Sequence, residues 1–361
     1  MTHQKVLVTG ALGYIGSVLV DYLQQRHCEV TTLDTGFFEK CLLSPEISRG
    51  HFWRMDMRDL TEARLAAFDA VIHLAGISND PFGDLMPQQV YDSSTDYSVQ
   101  LAKWCKAQHK KLIFASSCSI YGKAMEPVTT ELTEPNPQTF YSLNKLQIEQ
   151  QVSALADKEF HPVLLRLATL YGPSPRMRFD IVVNMLTAMA ATSGAIVLNS
   201  DGRANRPFLH IEDACQAFYC ALSIKTPEAG AIILNVGQDQ ENYSIREVAE
   251  LISQTHGSCE LKSLVSLTNA AEQELFKDRK LQDGVDSRDY KVSFAKIKQS
   301  MPTFQPNWQL STGVKQLFGY YQDVGLTDVN FKSADFFRLQ TMEALYKSGR
   351  ITPELKWANP L

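Results

Sequence analysis

From Lys5 to about Thr169, short β-branched and apolar runs alternate with longer stretches of helical period, the pattern of βαβ units around a parallel sheet. The runs KVLVTG (5–10), EVTTLD (29–34), HFWRMD (51–56), AVIHLAG (70–76), KLIFASS (111–117) and PVLLRLAT (162–169) are predicted strands. Helices are predicted after the first run, after the fourth (about 87–107) and around 141–155. This is an α/β, doubly wound sheet, whose ligands lie at the carboxyl ends of the strands. Beyond Thr169 the order loosens into a helix near 181–193 and short strands at AIVLNS, RPFLHI and AIILNV. The pattern predicts a first domain over 1–170 and a smaller C-terminal α/β lobe mainly over 171–330, with later strands and helices returning to the first. A helical tail of no assigned role covers 331–361.

Composition narrows the classes. The 361 residues are 44% hydrophobic and 21% charged, with a formal net charge of −5, which describes a soluble globular chain without the basic excess that bulk nucleic-acid binding requires. The start, MTHQKVLVTGALGYIG, lacks a leader pattern, and nowhere do eighteen uncharged apolar residues run together, so a cytoplasmic protein with no membrane partner is expected. Seven scattered cysteines without a C-x-x-C pair point to buried thiols, with neither a disulfide framework nor a metal site.

Candidate chemistry gathers at strand ends. Gly10, Gly13 and Gly16 fall between the first strand and a helix, where backbone approaches a pyrophosphate and the helix N-terminus faces it. Asp34 ends the second strand, placed to accept hydrogen bonds from a ribose diol and to repel a 2′-phosphate, which favours NAD over NADP. Tyr141 and Lys145 stand four apart at the start of a helix and share one face. A phenol with a pKa of about 10 is a poor base at neutral pH, and a neighbouring ammonium favours its phenolate. The fifth strand ends in SSCSIYG, which puts Ser116, Ser117 and Ser119 at the sheet edge, where a hydroxyl orients a substrate oxygen.

This combination resembles the extended short-chain dehydrogenase/reductase superfamily. Over roughly residues 4–320 it is similar to the NAD-dependent nucleotide-sugar epimerase/dehydratase family, which includes UDP-glucose 4-epimerase. MDMRD (55–59), HLAG (73–76), RLATLYGP (166–173), DIVVN (180–184), RPFLHIED (206–213) and SRDY (287–290) carry the resemblance. It implies a Rossmann-type fold binding NAD through Gly10, Gly13, Tyr14, Ile15, Gly16, Asp34, Asp56, Met57, Leu74, Ala75, Gly76, Ser116, Tyr141 and Lys145. Ser117, four residues before the tyrosine of a Tyr-Gly pair, is the implied catalytic hydroxyl beside Tyr141 and Lys145, with Ser116 the alternative. The implied partner is a nucleotide-diphosphate sugar, met by Ser117, Thr169, Asn184, Arg206 and Arg288. Topology adds Asn79, or its neighbour Asp80. Two arginines suit two phosphates because a guanidinium fork binds phosphate oxygens bidentately. His210, flanked by strand-like apolar residues, reads as structural.

Dehydratases of the family carry Asp-Glu directly after the catalytic hydroxyl, where this chain has Cys118 and Ser119. Hydride transfer at a sugar carbon, C4 above all, is the implied reaction: epimerisation, or the work of a 4-ketoreductase or 4-dehydrogenase. GPSPRMRFDIVVN also resembles enzymes acting on C4 of GDP-heptoses and related sugars. A dinucleotide-binding regulator is the non-enzyme alternative. Family members pair two long helices into a homodimer, for which Val90, Val99, Leu101, Ala102, Trp104 and Cys105 are the expected apolar surface.

Overall fold

The computed structural model describes residues 4–44, 50–77, 88–198, 200–257, 259–263 and 288–359. Strands β1 (Lys5–Thr9), β2 (Glu29–Asp34), β3 (His51–Arg54), β4 (Ala70–His73), β5 (Lys111–Ser117) and β6 (Val163–Leu167) coincide with the six predicted runs, trimmed at their ends. After β7 (Thr169–Tyr171), β8 (Ala195–Leu198) and β9 (Asn205–His210), strand β10 (Ile232–Val236) returns to the outer side of β6. The sheet order is β10-β6-β5-β4-β1-β2-β3, with every pairing parallel.

Alternation explains the layers, because successive side chains of a strand point to opposite faces. Val6, Val8, Ile72, Ile113, Leu165 and Leu234 enter one core, while Leu7, Val71, Leu112, Phe114 and Leu164 enter the other. Helix α1 (Gly16–Gln24) covers the first face. Helices α2 (Ser93–Ala107) and α3 (Phe140–Ser153) cover the second. Leu101, Ala102 and Cys105 of α2 are fully buried there, so three of the residues expected to offer surface to a second copy are spent on their own sheet.

The predicted run 162–169 divides. Ala168 donates its N–H to Val236 as the last tie to the main sheet, and Thr169 opposite Phe208 then starts a second sheet of β7, β9 and β11 (Asn242–Ser244). One apolar run thus serves two sheets, a change of partner that periodicity cannot register. Helices α4 (Val182–Ser193), α5 (Ile211–Ala221), α6 (Ile245–His256), α7 (Ala295–Ser300), α8 (Leu310–Asp323), α9 (Asp328–Phe331) and α10 (Arg338–Lys347) follow, and β12 (Glu260–Ser263) pairs with β8. Phe179, Leu186, Phe208, Leu317 and Phe331 belong to the core of this second half.

A buried polar network joins the elements that carry the site. Glu149 of α3 and Arg166 of β6 form an ion pair through two guanidinium nitrogens. Ser116 of β5 donates to Glu149 at 2.8 Å, Arg166 donates to the Tyr121 hydroxyl at 2.9 Å, and Tyr121 donates to Oδ1 of Asn235 in β10 at 2.7 Å. Removing one partner of such a pair leaves a desolvated charge. Glu149→Ala is therefore expected to lower folding stability by about 3–5 kcal/mol in chemical denaturation.

Candidate active site

The turn after β1 is tight enough to exclude side chains. Gly10 has φ +72°, and a Cβ there would lie 2.7 Å from the Ala75 nitrogen; one on Gly16 would lie 2.5 Å from the Gly10 carbonyl oxygen. Glycine at these two positions lets the β1 and β4 ends touch and starts α1 directly over the strand edge. Gly13 completes the turn by donating to Gly10 O at 3.1 Å. The arrangement leaves the N-terminus of α1 at the carboxyl edge of the sheet, the geometry that accepts a phosphate. Ile15 is half-buried, and the buried Tyr14 side chain reaches away to donate to Gly172 O at 2.8 Å, tying this turn to the second half.

Asp34 ends β2 beside that turn, its carboxylate accepting from Leu12 N at 3.0 Å and Gly36 N at 2.7 Å. Burial raises its pKa, while those two N–H groups and the charges of Arg176 and Arg338 act in the opposite direction. Next along the edge, Asp56 is gripped by Arg58 through Nε at 2.8 Å and Nη2 at 2.6 Å, and Met57 is buried beside it. At the end of β4, Leu74 donates to Thr9 O and Ala75 to Thr9 Oγ1, while Gly76 is exposed. The cradle of glycines, a helix N-terminus and two carboxylates along one edge fit an extended dinucleotide.

The catalytic candidates converge on the middle of the same edge. Thr139 and Ser142 cap α3 reciprocally, which fixes the first turn that carries Tyr141. One turn on, Lys145 is 8% exposed, donates to Ala115 O at 2.9 Å, and lies 5.8 Å from the centre of the Tyr141 ring. Burial brings its pKa down to about 8. Ser117 ends β5, half-buried, with its hydroxyl accepting from Ser119 N at 3.1 Å. Beneath them His73 is locked between Thr9 at 2.7 Å and Ser98 at 2.9 Å, and burial drops its pKa to about 3, so the floor is neutral.

Two expected residues are engaged by buried partners. The Ser116 hydroxyl is committed to Glu149, leaving Ser117 as the serine of the pair at the open edge. Asn184 is fully buried, with its amide between Tyr14, Arg178 and Gly172, where it braces the loop after β7. Asn79 lies outside the described residues, as does Asp80. Thr169 opens β7 at intermediate exposure. Arg206 donates to Arg288 O at 2.6 Å and lies 5.1 Å from the centre of the Tyr290 ring, so the structure brings the two arginines together across a long sequence gap. His210 caps α5, bonds Gln316 at 2.8 Å and stacks on Trp308 at 4.1 Å, and burial brings its pKa down to about 4.

Motif reading passed over Arg178. Paired with Asp180 at 2.9 Å and half-buried, it is electrostatically coupled to both Tyr141 and Tyr14. Its signal was the paired arginines of PRMRFD, legible as charge in an apolar stretch but not as a place. Among the described residues no cluster of His, Cys, Asp or Glu could hold a metal, and no helix is long and apolar enough to cross a membrane.

The chain and its fold are similar to known proteins. The chain is 26% identical over 282 residues to UDP-glucose 4-epimerase of Neisseria meningitidis serogroup C, covering 70% of this chain and 83% of that protein. Its fold is similar to that of MoeE5 in complex with UDP-glucose and NAD, at a TM-score of 0.71 and 23% identity over 89% of this chain and 100% of the other. It is also similar to the NAD-dependent NDP-hexosamine 5,6-dehydratase TunA, at a TM-score of 0.74 and 22% identity over 89% and 98%. Residues 6–237, which include the glycine turn, Asp34, Ser117, Tyr141, Lys145 and Arg206, match one family throughout, and the chain belongs to the NAD dependent epimerase/dehydratase family.

Proposed function

We propose that the chain is a nucleotide-sugar epimerase, or closely related oxidoreductase, that moves a hydride at C4 of the sugar with Tyr141 as acid and base. The observation that carries this reading is the convergence of Ser117, Tyr141 and Lys145 on the edge that also holds the glycine turn and Asp34. A dinucleotide held along the glycine turn and Asp34 would supply the acceptor and donor of the hydride. Tyr141 removes the hydroxyl proton as the ketone forms and gives it back on reduction. Lys145 favours the phenolate by its charge, and Ser117 holds the reacting oxygen. Arg206 and Arg288 are proposed to meet the diphosphate, and Thr169 the substrate, consistent with a relative and a structural neighbour described with UDP-sugars.

Dehydration lacks its acid and base. Cys118 is buried, donates to Arg166 O at 3.2 Å, and has its thiol pKa pushed well up by burial; Ser119, also buried, carries no ionisable group. We further propose a cytoplasmic homodimer. Its support is the exposed Phe140 and Leu143 on α3, a helix tied to the segment leading into α2 by Asn144 donating to Tyr91 O at 3.0 Å.

Tyr141→Phe is expected to cut turnover by about 10²–10⁴-fold with bound dinucleotide unchanged, measured by single-turnover formation of product and by cofactor content. A regulator that only binds dinucleotide would keep its biological output in that variant. Lys145→Met separates function from stability. Folding imposes its full penalty on the buried ammonium below pH 8, and between about pH 8 and 10 the unfolded chain holds a proton that the folded chain has released. The variant should lose most activity, yet melt no lower than wild type at pH 7, with any advantage fading towards pH 10 in thermal scans.

A further inference from the structure

The tail that sequence leaves without a role lies against the dinucleotide edge. Met342, Leu345, Ile351 and Leu355 are buried in one cluster with Val90 and Tyr91, and Tyr141 packs on that cluster. Polar ties fix the far end of the segment. Trp357 donates Nε1 to Thr35 O at 2.7 Å, directly after Asp34, and its ring lies 5.2 Å from Phe37. Arg58, the residue that grips Asp56, donates to Glu354 O at 2.6 Å and Leu355 O at 2.9 Å. Lys356 pairs with Asp59 at 2.9 Å. Both carboxylates of the adenosine side are thus followed in sequence by loops fastened to the tail.

The near end adds charge. Arg338 opens α10, is 5% exposed, and stacks 4.1 Å from the centre of the Phe38 ring, with its Nη1 lacking a hydrogen-bond partner among the described residues. It is electrostatically coupled to Arg176, Arg178, Asp180 and Asp34.

We propose that residues 334–357 are part of the dinucleotide site, closing its adenosine half and supplying positive charge for the cofactor's phosphates through Arg338, so that the cofactor stays resident through the cycle. This rests on the reading that a dinucleotide binds along Asp34 and Asp56. A resident cofactor suits an epimerase, in which the same molecule that takes the hydride returns it.

The test compares the full chain with Arg338→Met, Trp357→Ala and a chain ending at Ser348. Each is checked for folding by circular dichroism. NAD(H) per chain is measured after gel filtration and denaturation, NAD dissociation by exchange with labelled NAD⁺, and UDP binding by calorimetry. NAD should leave each variant roughly tenfold faster or more, with UDP affinity within about twofold of wild type. NAD⁺ should also slow tryptic cleavage at Arg350 in the wild type, a readout that needs no variant. Unchanged NAD dissociation in the folded variants, or cleavage at Arg350 indifferent to NAD⁺, overturns the proposal. A fall in UDP affinity with NAD dissociation intact also overturns it, because the charge would then serve the sugar nucleotide. A wild-type chain that binds no dinucleotide at all would instead sink the underlying reading.

Discussion

The buried ion pair of Glu149 and Arg166 is the constraint on which the site depends. Charges removed from water persist only when their partners are fully met, and here a β5 serine, a β6 arginine, the Tyr121 hydroxyl and Asn235 of β10 meet them. The pair ties α3 to the sheet at one angle and one depth. Tyr141 and Lys145 ride on that helix, and Ser117 follows the serine that the network consumes. The placement of the proposed catalytic residues is thus inherited from a network that includes none of them.

The electrostatics of the edge follow from the same burial. His73 cannot hold a proton beneath Lys145, and Lys145 itself is drawn down to a pKa of about 8, close to the pH at which a proton must move. A weakly hydrated ammonium near a phenol acts through a lower local dielectric than it would at the surface. The glycine turn and the α1 N-terminus add fixed dipoles without adding ionisable groups.

The family model spans residues 6–237, which hold the main sheet and the central site, and other long-range ties fix what lies beyond. The C-terminal segment is the clearest case. It has little periodicity beyond one helix, yet it lies beside Asp34, Asp56 and Tyr141 at once because the sheet edge sets those residues in a row.

Sequence by itself determined the parallel sheet, the glycine turn, Asp34 at a strand end and the pairing of Tyr141 with Lys145, since each depends on periodicity or on contacts within a few residues. The same local reasoning separated Ser117 from Ser116 only by motif; the reason, a carboxylate thirty-three residues away, is tertiary. The packing of Asn184 among Tyr14, Arg178 and Gly172 is likewise tertiary, because burial decides which polar side chains their neighbours engage. The split of one apolar run between two sheets, the meeting of Arg206 with Arg288 and the course of the tail were decided only by the tertiary structure. Those outcomes turn on long-range pairing, which leaves no period in the chain, and a side chain's partners follow from the fold as a whole.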